Sequence, residues 1–119
     1  MVIVATNQPD TSRQLVEDLH SILRKTLKLD DIKICFHVDA DNCTCRKPKP
    51  GLLLEAAQER EIALSESWMI GDRWRDLEAG RAAGCRTVFI DHGYANEKRP
   101  RDRDFVVTSL IEAVPFVIK

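Results

Sequence analysis

The sequence predicts an α/β domain with a parallel sheet and helices packed on both of its faces. Two observations carry that expectation. Short β-branched apolar runs alternate with stretches of helical periodicity. The polar and metal-binding residues cluster just after the apolar runs, where a parallel sheet gathers its carboxyl ends. A chain of 119 residues also has room for one modest core, so residues 1–119 are expected to form a single domain.

The elements follow in order. Met1 to Thr6 is apolar and β-branched and stops at the turn residues Asn7-Gln8-Pro9-Asp10, which predicts a buried strand. Leu15, Val16, Leu19, Ile22, Leu23 and Leu27 recur at helical spacing, with Thr11 and Gln14 as a candidate capping box. Ile32, Ile34 and Phe36 alternate as in a second strand. Val38 to Pro50 has no period and reads as a loop, after which Pro50 suits the first position of a helix through Leu53, Ala56 and Ala57. Trp68-Met69-Ile70 is a third strand ending at Gly71-Asp72, and a helix containing Leu77, Ala79, Ala82 and Ala83 ends at Gly84. Thr87 to Ile90 is a fourth strand, 96–104 an exposed charged loop, and Phe105 to Val107 a short edge strand. Ser109 with Glu112 opens a last helix that Pro115 is expected to kink or shorten.

Charge excludes several partners. Lys and Arg number 18 against 19 Asp and Glu, and neither half of the chain has an excess of one sign, so no nucleic-acid partner is expected. Apolar runs stay short and the first residues do not resemble a secretory leader, which predicts a cytoplasmic chain without a membrane span.

Three constellations stand out. Cys35-x-His37-x5-Cys43-x-Cys45 offers three thiolates and an imidazole, a complete tetrahedral set for structural Zn²⁺ with no position left for water. Cys85, just after Gly84, reads as a small buried hydrophobe. Gly71-Asp72-Arg73-Trp74-Arg75-Asp76 delivers one carboxylate to a strand end and a second to the following turn, as a hard cation such as Mg²⁺ requires; Asp72 or Arg73 opening a helix explains the motif equally well. Arg46-Lys47-Pro48-Lys49-Pro50-Gly51 places two cations beside Cys45 on a proline-stiffened loop, suited to a phosphate or simply to solvent.

Taken in order, Thr6-Asn7-Gln8, the Cys-x-His…Cys-x-Cys-Arg-Lys-Pro loop and Gly-Asp-Arg-x-x-Asp resemble the haloacid dehalogenase (HAD) superfamily. Within it they are similar to the zinc-loop branch of heptose-bisphosphate and histidinol-phosphate phosphatases. The resemblance implies a capless, three-layer Rossmann-like fold and hydrolysis of a small phosphate ester through an aspartyl-phosphate. It implies that Thr6 and Asn7 hydrogen-bond the phosphoryl group, that Lys47 neutralises it and that Arg46 and Arg73 bind substrate. Asp72 would ligate Mg²⁺ with Asp76 in support, and Cys35, His37, Cys43 and Cys45 would hold a zinc that shapes the substrate loop.

The same resemblance implies an Asp-x-Asp nucleophile pair on a strand upstream of Thr6, where this sequence has residues 1–5 only. Asp39-Ala-Asp41 and Asp102-Arg-Asp104 are the Asp-x-Asp pairs present, and neither follows an apolar strand. The expectation is a phosphatase domain without its nucleophile strand, inactive as given. A non-catalytic zinc-stabilised binding or regulatory module, or a phosphatase completed by a separate chain, are the alternatives. The strands ending at Thr6 and Asp72 are then expected to expose unpaired edges, leaving a marginal fold that self-associates.

Overall fold

A computed structural model describes residues 1–7, 14, 17, 18, 21, 22, 25, 29–95, 97–101 and 103–117. The apolar positions Leu15, Val16, Leu19, Leu23 and Leu27, and the capping residue Thr11, lie outside the described residues.

Two parallel sheets form. In the first, β1 (Ile3–Asn7) pairs with β2 (Asp31–Cys35), Thr6 lying opposite Ile34 and Asn7 opposite Cys35. In the second, β3 (Trp68–Gly71), β4 (Arg86–Ile90) and β5 (Phe105–Val107) run side by side in that order. The helices are α1 (Gly51–Arg60), α2 (Trp74–Ala83) and α3 (Leu110–Val117). Short 3₁₀ turns occupy Asp39–Asp41 and Leu64–Glu66.

Strand alternation sorts the second sheet into two faces. Trp68, Ile70, Val88, Ile90, Phe105 and Val107 share one, and Ala113 and Phe116 of α3 pack on it. The Phe105 and Phe116 rings stack with centroids 4.3 Å apart. Met69 and Thr87 share the other, where Gly80 of α2 comes so close that a Cβ there would lie 2.4 Å from Met69 Cβ. Helices therefore cover this sheet on both faces, as all-parallel sheets require. Gly84 then ends α2 at φ 93°, a left-handed conformation that glycine adopts without strain.

The first sheet departs from the expected buried strand. All five residues of β1 are half-buried, and Val2 before them is 57% exposed. The reason is pairing: among the described residues β1 has β2 on one edge only, and no strand of this sheet bonds to a strand of the other. The expected Ile32/Ile34/Phe36 alternation is also broken. Ile32 and Cys35 are the buried positions of β2, because the strand ends at Cys35, whose thiol turns inward to meet other sulfurs.

Smaller corrections have local causes. Pro50 stands just before α1 rather than inside it, and its carbonyl accepts from Leu53 and Leu54. Glu112 reaches back to the N–H and hydroxyl of Thr108, not to Ser109. Pro115 lies inside α3 without ending it. Cys85 is half-buried, at the start of β4 rather than within the core.

Candidate active site and metal centre

The carboxyl ends of β1, β2 and β3 bring most of the candidate residues together. The candidate metal centre lies where β2 runs out. Cys35 Sγ lies 3.5 Å from His37 Nδ1 and 3.7 Å from Cys43 Sγ. Cys45 Sγ lies 2.9 Å from Cys35 Sγ and 3.3 Å from His37 Nδ1. All four ligand atoms fall within 4.8 Å of one another. Donors about 2.3 Å from a tetrahedral zinc lie about 3.8 Å apart, so the four fit that ion with modest adjustment.

The loop is built to hold this shape. Asp41 accepts from Val38 N–H, and Asn42 takes a left-handed φ of 50°, a turn that asparagine tolerates. Lys49 Nζ braces Asn42 Oδ1 and the Cys43 carbonyl. Gly51 is required because a Cβ there would lie 2.2 Å from the Thr44 carbonyl oxygen.

The thiols differ in character. Burial raises Cys43, but N–H groups of Arg46 and Cys45 and the neighbouring thiols outweigh it and bring Cys43 down to about 7. Burial, then the adjacent Cys35 and Cys43 sulfurs, push Cys45 up to about 12. Crowded sulfurs of this kind resist sharing negative charge until a cation joins them.

Lys47 is the junction of the site. It is 9% exposed, and its ammonium donates to the Ala5 carbonyl of β1 at 2.9 Å and to Asp76 Oδ1 of α2 at 2.5 Å. Asn7 clamps its backbone, accepting from Lys47 N–H at 3.1 Å and donating to the Lys47 carbonyl at 3.4 Å. The peptide between Lys47 and Pro48 is cis. Asp76 also accepts from Arg73 N–H at 3.2 Å, which fixes the start of α2. Its side chain rests on Gly71, where an added Cβ would come within 2.3 Å of Asp76 Cβ.

Asp72 stands at the end of β3, half-buried, and accepts from Tyr94 Oη at 2.8 Å. That hydrogen bond to Asp72 holds the Tyr94 phenol above its usual range. Arg73 lies over the Tyr94 ring at 4.7 Å and pairs with Glu97 at 2.9 Å. Arg46 faces Asp39 at 2.7 Å and the His37 carbonyl at 3.1 Å. Thr6 sits on β1 one residue before the Asn7 clamp. For Mg²⁺ these residues offer one carboxylate, Asp72, since Asp76 is committed to Lys47 and to the helix start. One carboxylate is a partial site for a hard octahedral cation.

Arg75 and Tyr94 were missed by sequence reasoning. Arg75 sits inside the Gly-Asp-Arg-x-x-Asp motif at an x position, and Tyr94 follows Gly93 past β4. The one available signal was position: residues after β4 also lie at a strand's carboxyl end.

The fold matches a known class. The HAD-hydrolase-like family model matches residues 44–113, and the chain belongs to the HAD-like hydrolases. It is related to heptose-bisphosphate phosphatases. It is 43% identical over 100 residues to the D-glycero-beta-D-manno-heptose-1,7-bisphosphate 7-phosphatase of Helicobacter pylori (strain J99), covering 75% of this chain and 58% of that one. The enzyme of the same name from Neisseria meningitidis serogroup A is 35% identical over 99 residues, covering 75% and 53%. The chain thus spans a little over half the length of these curated relatives. Among solved structures, the D,D-heptose 1,7-bisphosphate phosphatase of B. bronchiseptica, complexed with magnesium and phosphate, superposes with a TM-score of 0.82 at 27% identity. That match covers 99% of this chain and 74% of that one. Among the described residues, no helix is long and apolar enough to cross a membrane.

Proposed function

We propose that this chain forms the phosphate-gripping and metal-side part of a phosphate monoester hydrolase for a small sugar phosphate, of the class that heptose 1,7-bisphosphate represents. The observation that carries this reading is Lys47. An ammonium has three donors; Ala5 and Asp76 take two at the mouth of the parallel strands. The third is assigned to a phosphoryl oxygen. Thr6 and Asn7 add hydrogen bonds from the end of β1, and Arg46 and Arg73 meet the rest of the substrate. Donors held in place before the reaction stabilise the charge of the transferring group without reorganising. Zinc, bound by Cys35, His37, Cys43 and Cys45, keeps the loop that carries Arg46 and Lys47 in shape. Mg²⁺ would neutralise phosphate charge, with Asp72 as one ligand among others that this chain's described residues do not supply.

No attacking carboxylate is assigned among the described residues. Asp39 is taken by Arg46 and Arg75, Asp41 caps Val38, and Asp104 holds Thr87 N–H. These commitments also favour a second reading, a zinc-stabilised module that binds phosphate esters without turning them over. A phosphatase assay with Mg²⁺ on small phosphate monoesters tests both. Residues 1–119 alone are expected to give no turnover. A version extended upstream by an apolar strand ending in Asp-x-Asp-Gly is expected to hydrolyse, and to lose that activity on Lys47→Ala or Asp72→Asn. Robust turnover by residues 1–119, abolished by Asp72→Asn, would overturn the assignment of an absent nucleophile. A folded, extended protein that binds inorganic phosphate but stays inactive would support the binding module.

A further inference from the structure

We propose that Arg75 is a positioning residue that couples the zinc loop to Lys47, so that order at the metal centre sets the place of the phosphate-facing cation. The inference rests on the reading of Lys47 given above. Arg75 is the second residue of α2, and its guanidinium leans on the Trp74 ring, 4.8 Å from the centroid. Nη1 donates to the Lys47 carbonyl at 3.1 Å and to Asp39 Oδ1 at 3.3 Å, while Nη2 donates to Asp39 Oδ2 at 3.3 Å. One rigid fork therefore spans two separate points of the zinc loop.

The two points are placed alike. Asp39 follows the ligand His37 by two residues, and Lys47 follows the ligand Cys45 by two residues. His37 Nδ1 and Cys45 Sγ lie 3.3 Å apart. An ion that holds this pair together also holds Asp39 and Lys47 where a single guanidinium reaches both. Arg46, between Cys45 and Lys47, shares the same carboxylate through Nε at 2.7 Å, which keeps Asp39 turned toward the seam. Asp76 fixes the Lys47 ammonium, and Asn7 its N–H and, at 3.4 Å, its carbonyl, so Arg75 adds a second and shorter hydrogen bond at that carbonyl.

The role is geometric rather than energetic. Asp39 is 65% exposed on its side chain, and an ion pair of that exposure adds little stability. Lysine is a point charge and cannot span the two acceptors, so Arg75→Lys is expected to behave like Arg75→Ala.

Acetylation of lysine amines by an N-hydroxysuccinimide ester at fixed pH, read by mass spectrometry on the zinc-loaded full chain, tests the coupling. Lys47 is expected to label slowly in the parent chain. Arg75→Ala and Arg75→Lys should each raise its rate roughly fivefold, the factor of one lost hydrogen bond of ordinary strength. Labelling of Lys33 and the zinc content, about one per chain, should stay unchanged. Chelation of zinc from the parent chain should raise the Lys47 rate at least as much. Unchanged Lys47 labelling in both variants would overturn the proposal, and so would release of zinc by them, because Arg75 is assigned to Lys47 and not to metal retention. If Arg75→Ala fails to fold, Arg75→Lys alone decides. Protection of Lys47 by inorganic phosphate is a separate arm: its failure counts against the phosphate reading and leaves the Arg75 effect standing.

Discussion

The two halves of this molecule are held together by different means. In residues 68–117 the described buried apolar residues are Leu77, Ala79, Val88, Phe89, Ile90, Val107 and Ala113, covered by α2 and α3. In residues 1–60 they are Ile32, Cys35, Leu52 and Ala56, and the described polar anchors include a cluster of four candidate metal ligands, the Lys47 junction, and Lys49 across the loop. The second half folds by removing hydrocarbon from water. Among its described residues the first half shows less of it and more ligand-type side chains and directed hydrogen bonds. That is the half that carries the candidate phosphate-binding residues Asn7, Arg46 and Lys47.

The sharpest way to break the contrast is to take away zinc. Chelation, or Cys43→Ser, should release about one zinc per chain, with an effect on folding on the order of 10 kcal/mol as in small zinc domains. Hydrogen exchange is expected to show β2 and the 36–50 loop losing protection while β4 keeps its own. Equal loss in both sheets would mean that the halves fold as one.

Leu77→Ala strikes the other half. Leu77 is fully buried, and the truncation should cost about 3 kcal/mol in a denaturant melt. Zinc content should be unchanged, and a simultaneous loss of metal would refute the division.

Gly71→Ala works at the boundary. Its Cβ would sit 2.3 Å from Asp76 Cβ, so Asp76 must move and loosen Lys47. A cost of about 1–3 kcal/mol is expected from such overpacking. Gly84→Ala, at φ 93° with open space around it, should cost about 1 kcal/mol and leave Lys47 alone.

Protonation of paired surface carboxylates has the smallest effect. Arg99 holds Asp91, and Thr108 N–H holds Glu112, below their ordinary values of 3.8 and 4.5. Arg46 does the same for Asp39. A depressed carboxylate contributes stability that is complete above its unfolded pKa and is lost as pH falls through the folded one. Tm should therefore hold steady from neutral pH down to about 5 in these terms and fall below that. In Glu112→Gln the fall should be slightly shallower.

Much of this was readable from the sequence, for identifiable reasons. Strand patterns placed β3 and β4 within a residue, since burial on both faces of a sheet leaves continuous apolar runs such as Thr87–Ile90, and Gly84 marked the end of α2 but not its start at Trp74. The four-residue Cys/His cluster was readable because thiols cluster by chemistry and their spacing is local. The half-burial of β1 was not, because an apolar run reports what a strand prefers and not which edges are paired. Arg75 was invisible for another reason. Its partners Asp39 and Lys47 lie 36 and 28 residues away, and exposed charges carry no period. Cys85 misled because small apolar residues beside a glycine look alike whether they face the core or a helix end.

The seam between the two sheets has a mechanical consequence. No backbone ladder crosses it among the described residues; side chains such as Lys47, Asp76 and Arg75 do, together with the flank of α1 against α2. Backbone ladders share load across several bonds at once, whereas side-chain ties are broken one after another. Pulled apart from β1 and β5, the molecule should yield first along this line, as two rigid plates parting at a pinned joint. Lys47, proposed to grip phosphate, is one of the pins, so tension across the seam would reach it before it reached either sheet.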